Sequence, residues 1–116
     1  MKIRKARQIL KSLADDTRLR IINLLKKRQL TVGQMCRILE KKQSNMSKHL
    51  ARLRLTEIVN DKRKGNNVYY YLSKPANKPH KELLNALLKG LADVEIFKED
   101  ILKMEGTFKK SKQEEK

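Results

Sequence analysis

The residues in this chain best suited to chemistry lie in Gln43-Ser44-Asn45-Met46-Ser47-Lys48-His49-Leu50-Ala51-Arg52-Leu53-Arg54. At about 100° per residue, Met46, Leu50 and Leu53 fall within about 60° of one another and make one narrow apolar stripe. The opposite side presents Ser44, Lys48 and Ala51, flanked by Asn45 and Arg52 on one edge and by Ser47 and Arg54 on the other. A helix lying in the major groove of duplex DNA needs short hydrogen-bonding groups, cations and a small residue. Asn meets adenine edges, Lys and Arg meet guanine edges or phosphates, and Ala permits close approach. An ordinary solvated helix face has the same composition, so the neighbouring elements have to decide between the two.

Upstream, Ile3, Ala6, Ile9, Leu10 and Leu13 recur at three- and four-residue spacing, which predicts an amphipathic helix over residues 3–14. Asp15, Asp16 and Thr17 then suit the start of a second helix, because carboxylates favour the positive end of the helix dipole and cap free amides. That helix is expected to reach about Lys27, with Leu19, Ile21, Ile22, Leu24 and Leu25 inward. Thr31-Val32-Gly33-Gln34 matches a capping box that opens a short third helix through about Glu40. Lys41-Lys42 make the turn into the helix described above. Two short helices joined by a tight turn, the second with a polar outer face, form a helix-turn-helix.

After Leu55 the period changes. Ile58-Val59 begins a strand, residues 61–67 form a turn-rich charged segment, and Val68–Leu72 is a second strand. Gly65 and Asn66 tolerate the positive φ of a hairpin tip. Lys62, Arg63 and Lys64 put three consecutive cations at that tip, a basic wing able to grip phosphates. Pro75 and Pro79 separate this unit from a last helix over about residues 80–104. Its apolar stripe of Leu84, Leu87, Leu91, Val94, Phe97, Ile101 and Met104, widened by Leu83 and Leu88, is too long for a small core. A second copy of the chain is its expected partner. The fold class is therefore mainly α with a small β-hairpin, a winged helix-turn-helix in the order α-α-α-α-β-β-α. Residues 1–104 are expected to form the DNA-binding and dimerisation domain, and residues 105–116 a polar disordered tail.

Charge supports the same reading. The 116 residues hold 29 Lys plus Arg against 13 Asp plus Glu, a net +16. Residues 1–28 carry ten basic and two acidic side chains, and residues 41–64 carry eight and two. So basic a small domain favours nucleic acid. A dimer doubles the charge and repels itself unless a polyanion or counterions offset it. An anionic membrane is the competing partner, with a lone basic amphipathic helix as its signature. No apolar run reaches the length of a membrane span. The single cysteine, Cys36, cannot close an intramolecular disulfide, so a cytoplasmic location is expected. The two histidines belong to no catalytic arrangement, and an enzyme is not expected.

Three segments carry a family resemblance. Leu13-Ala14-Asp15-Asp16-Thr17-Arg18-Leu19-Arg20-Ile21-Ile22, Ser44-Asn45-Met46-Ser47-Lys48-His49-Leu50-Ala51-Arg52-Leu53 and Val68-Tyr69-Tyr70-Tyr71-Leu72 resemble the opening, recognition helix and closing wing strand of arsenic-repressor-type (ArsR) regulators. The resemblance covers about residues 5–102. It implies a homodimer built through the first and last helices on a palindromic operator, and a phosphate contact for His49. A semi-buried structural histidine is the alternative for His49, and the phosphate contact is preferred. For Arg18 a structural, phosphate-proximal role is preferred over base reading.

The departures from the family matter equally. Where many members place metal-binding cysteines, this chain has Thr31 and Gly33. On the last helix His80 stands alone, Leu91 and Val94 occupy the neighbourhood of the partner ligands, and Asp93 and Glu95 alone make a poor zinc site. No metal or cofactor is expected, and any effector is unspecified. Cys36 reads as core packing ahead of redox sensing. Lys42 replaces the usual N-cap serine, and Glu57 stands where the family often has Gly. The expected DNA-binding set is Gln43, Ser44, Asn45, Ser47, Lys48, His49, Arg52, Lys62, Arg63 and Lys64. The expected dimer interface is Ile3, Ile9, Leu84, Leu87, Leu91, Val94, Phe97 and Ile101. The function expected is a sequence-specific transcriptional repressor; the alternative is a non-specific architectural or RNA-associated basic protein.

Overall fold

The computed structural model describes residues 2–74 and 78–114, with side chains through Lys109. Pro75 lies outside the described residues. Six helices and one hairpin follow in the order α1 (Ile3–Leu13), α2 (Asp16–Leu25), α3 (Val32–Leu39), α4 (Gln43–Leu55), β1 (Val59–Lys64), β2 (Asn67–Leu72), α5 (Lys78–Gly90) and α6 (Glu95–Glu114). The fold is the winged helix-turn-helix expected from the sequence, mainly α with a two-stranded hairpin.

The core is the sum of the apolar stripes. Ile9 and Leu13 of α1, Ile21, Ile22, Leu24 and Leu25 of α2, Met35, Ile38 and Leu39 of α3, and Met46, Leu50 and Leu53 of α4 are all buried together. Each fully buried aliphatic side chain contributes roughly 1.5–3 kcal/mol. Leu10, expected inward, is 54% exposed beside Ile3 at 81%, because Ile9 and Leu13 already fill the α1 contact.

Both helices of the helix-turn-helix end on a left-handed glutamate. Glu40 after α3 has φ 56° and Glu57 after α4 has φ 61°. At α4 the Ile58 amide donates to the Leu53 carbonyl at 2.9 Å and the Glu57 amide to Arg54 at 3.0 Å. This paired closure usually uses glycine, because a Cβ is strained there. The helix end thus keeps the geometry that Gly would give despite carrying Glu57.

The hairpin differs from expectation in where its cations sit. β1 runs to Lys64 and pairs antiparallel with β2, Lys64 opposite Asn67 and Lys62 opposite Tyr69. The tip is only Gly65-Asn66, with Gly65 at φ 62°. Lys62, Arg63 and Lys64 therefore belong to a strand and alternate between its faces. Tyr70 lies on the inner face, and its backbone makes a bridge to Leu30, with N–O distances of 2.8 and 3.2 Å.

The last helix is two helices. The chain breaks after Gly90, a residue that costs about 1 kcal/mol relative to Ala inside a helix. Breaking there lets α6 cross α2 and α3, placing Met104 in the core and burying Phe97. α6 then runs on to Glu114, so the segment expected to be a disordered tail is helical through that residue. The apolar period explains it: Ile101, Met104 and Phe108 continue one stripe, and the Arg28 guanidinium stacks 3.4 Å from the Phe108 ring centre.

These placements revise the expected dimer surface. Ile9 is fully buried, and Leu84 and Phe97 are each 6% exposed, all within their own subunit. Ile3 remains exposed, and Leu87, Leu91, Val94 and Ile101 are half-buried. Among the described residues no helix is long and apolar enough to cross a membrane.

Candidate nucleic-acid interface

α3 and α4 are fixed by local chemistry. The Gln34 amide donates to Thr31 Oγ1 at 3.2 Å, and the Thr31 amide donates to Gln34 Oε1 at 2.9 Å, closing the capping box read from the sequence. The N-cap of α4, Lys42, makes no such bond. The first-turn amides of α4 therefore keep their partial positive charge facing outward, among Gln43, Ser44 and Asn45.

Burial of Met46, Leu50 and Leu53 turns the other side of α4 to solvent. Gln43, Ser44, Asn45, Ser47, Lys48, Ala51 and Arg52 are all exposed on this one helix. Among the described residues, none covers that face.

His49 is different. It is half-buried, with Nδ1 3.2 Å from Arg18 Nη1 and 3.7 Å from Asp15 Oδ1. The same Arg18 donates to the carbonyls of Ser12 and Lys11, tying the end of α1 to the middle of α4. His49 is thus semi-buried with one ring nitrogen engaged by Arg18, and Arg18 ties α1 to α4. Asp15 caps α2 by accepting from the Arg18 amide at 3.0 Å. Partial burial pushes its carboxyl up, but the Arg18 amide and the His49 and Arg18 charges outweigh this and hold it below its ordinary value.

On the wing, Lys62 lies 5.4 Å from the Tyr71 ring centre and Lys64 5.6 Å from that of Tyr69. Both lysines thus share the outer face with the tyrosines that carry them, and Arg63 points to the other. Arg54 Nη1 reaches Asp61 Oδ2 at 2.8 Å and links the end of α4 to β1. Sequence reading missed this link and the Arg18 bridge. Both depend on how elements approach in space, and residue spacing carries no signal of that.

Other chemistry is sparse. Among the described residues no three His, Cys, Asp or Glu side chains gather where they could hold a metal. Cys36 is half-buried, and burial pushes its thiol up, which disfavours the reactive thiolate. His80 is 2% exposed; burial first, then the Lys5 charge, lowers its pKa against the opposing pull of Glu57.

Comparison with known proteins agrees with this geometry. Residues 15–61, from the α2 cap into β1, match the model of the bacterial regulatory protein, arsR family. The chain is also 40% identical over 83 residues to the transcriptional activator HlyU of Vibrio cholerae, spanning 72% of this chain and 77% of that one. The chain belongs to the ArsR family. It is a winged helix-turn-helix transcriptional regulator. The solved structure of HlyU from Vibrio cholerae superposes on this ArsR-family chain with a TM-score of 0.67 at 33% identity, covering 80% of this chain and all of HlyU. A homodimeric winged helix-turn-helix DNA-binding domain, Mb0332 from Mycobacterium bovis, shares the fold with a TM-score of 0.65 at 24% identity, over 81% of this chain and 83% of that one.

Proposed function

We propose that this ArsR-family protein is a homodimeric repressor that reads a palindromic operator and acts by occupying promoter DNA. The reading is carried by the uncovered polar face of α4. Ser44, Asn45, Ser47 and Lys48 are the base-edge readers, with Gln43 beside them at the helix start. Arg52, Lys62, Arg63 and Lys64 position the subunit on phosphates. His49, engaged by Arg18, acts by fixing the rotation of α4, and its free ring nitrogen remains available to a phosphate. Two recognition helices sit about one turn of duplex apart, roughly 34–36 Å.

Dimerisation is supported by what the subunit leaves uncovered: Ile3 and Leu10 on α1, and the half-buried Leu87, Leu91, Val94 and Ile101. The homodimer of Mb0332 is consistent with this. Thr31 and Gly33 at the start of α3 supply no thiolate, so regulation by a family-type metal site there is not part of the reading. A cytoplasmic location fits a DNA-binding regulator with one cysteine.

Selecting bound fragments from the source genome tests the proposal. Fragments should converge on a palindrome, and that duplex should bind at least about 10³-fold more tightly than random DNA. Near-equal affinities would instead support the non-specific architectural or RNA-associated reading, with which the net charge of +16 is equally compatible.

A further inference from the structure

Three cations converge beside the C-terminal half of α4 with no carboxylate to answer them. Arg7 and Lys11, one helical turn apart on α1, join Arg52 of α4 in lining an open groove of about 450 Å³, completed by Gln8, Leu55 and Thr56. Among the described residues, none of the three is ion-paired, whereas Lys5 of the same helix is held by Glu57 and Arg54 of α4 by Asp61. α1 contains no acidic residue over Ile3–Leu13. Like charges gathered in a concavity repel one another, and bound polyanion removes that cost.

The groove has a direction. Lys48 and Arg52 are one turn apart on the exposed side of α4, so the row of cations leads from the base-facing half of the helix into the groove. A recognition helix reads bases with its N-terminal residues, and its far end leaves the major groove toward the sugar-phosphate strand. α1 flanks that half of α4, with Arg7 and Lys11 lining the groove beside Arg52. Ile3 and Leu10, the exposed apolar residues of α1, border Arg7 and lie about 80–100° from Lys11 on the helical wheel, so a partner on the apolar edge leaves the Lys11 side open.

We infer that Arg7 and Lys11 of α1, with Arg52, form a phosphate-binding groove for the duplex backbone flanking the site that α4 reads. The inference rests on α4 being the duplex-facing element. It adds affinity without sequence preference, because phosphates are the same at every base pair.

The test uses the full chain and random-sequence duplex DNA, so it does not depend on an operator being found. Each neutralised phosphate contributes about 0.9 to the slope of log affinity against log salt. Replacing Arg7→Gln together with Lys11→Gln should lower that slope by about 2 per subunit. Arg7→Lys with Lys11→Arg should retain it. Lys27→Gln with Lys98→Gln, two exposed cations outside the groove, should leave it unchanged. A slope in the groove variant equal to that of the unaltered protein, or a fall matched by the Lys27/Lys98 variant, overturns the inference. Loss of operator preference in the unaltered protein would sink the repressor reading and leave this slope comparison standing.

Discussion

Arg20 of α2 and Asp100 of α6 meet as a two-pronged ion pair, Nε to Oδ2 at 2.8 Å and Nη2 to Oδ1 at 2.9 Å. The Asp100 side chain is 4% exposed, and its hydrogen bond is the leading cause that raises the Arg20 pKa. Beside it, Asn23 Nδ2 donates to the Phe97 carbonyl at 3.0 Å. These contacts lock α6 across the back of the domain. Asp100→Ala should cost about 3 kcal/mol in urea unfolding, the lower part of the range for breaking a buried pair, because Arg20 still reaches solvent.

Replacing Asn45→Ala and Lys48→Ala together removes two of the proposed base-edge readers from a face that no described residue covers. Operator affinity should fall by about 2–6 kcal/mol in total. Random-duplex affinity should fall less, and the thermal midpoint should stay near that of the unaltered protein. A fluorescence-anisotropy titration against both duplexes gives the comparison; equal losses on the two would remove these residues from sequence reading.

Asp15 joins stability to pH. Its folded pKa lies below its ordinary value, so its contribution is present above the unfolded pKa and fades as pH falls through the folded one. Asp15→Ala should cost about 1 kcal/mol at neutral pH through loss of the cap. The deficit should shrink in acid, which denaturant titrations at a series of pH values would follow.

His80 works from the other side of neutrality. A buried base with a lowered pKa stays neutral in the fold while the unfolded chain takes up a proton. Stability should therefore decline as pH drops below the unfolded value of about 6.5, and level off below the folded one. His80→Gln should flatten that part of the pH profile.

Glu40→Gly should stabilise the protein by about 1 kcal/mol, since a left-handed backbone at φ 56° strains any Cβ. The contact it loses, Lys103 Nζ to Glu40 Oε1 at 3.3 Å, is solvent-exposed and weighs little. A lower midpoint for the variant in chemical denaturation would mean that this contact anchors α6 to the turn.

The helix-turn-helix was legible in the sequence because its signals are local. Thr31 and Gln34 announce a cap three residues apart, and Met46, Leu50 and Leu53 fix by period alone which side of α4 faces out. The wing was legible in kind but not in register: β1 continues through three charged residues because pairing with β2 (Asn67–Leu72), rather than the apolar content of β1, makes it a strand. The break at Gly90 and the return of α6 were not legible. Both turn on Asp100 finding Arg20 eighty residues away, and on Phe97 and Met104 filling space that only the folded domain defines. The same limit hid the Arg18–His49 contact, so a histidine assigned by resemblance to phosphate sits partly inside the domain.

The resting place of Lys62 and Lys64 on Tyr71 and Tyr69 has one more consequence. A lysine swinging freely surrenders much rotamer entropy when it is pinned to a ligand, up to about 2 kcal/mol on common scales. Here two ammonium groups are already braced on aromatic rings, an attraction worth about 0.5–1 kcal/mol at exposed sites. Part of that ordering is complete in the free protein, so a wing that grips phosphates as proposed would do so as a stiffened prong instead of a pair of loose tethers.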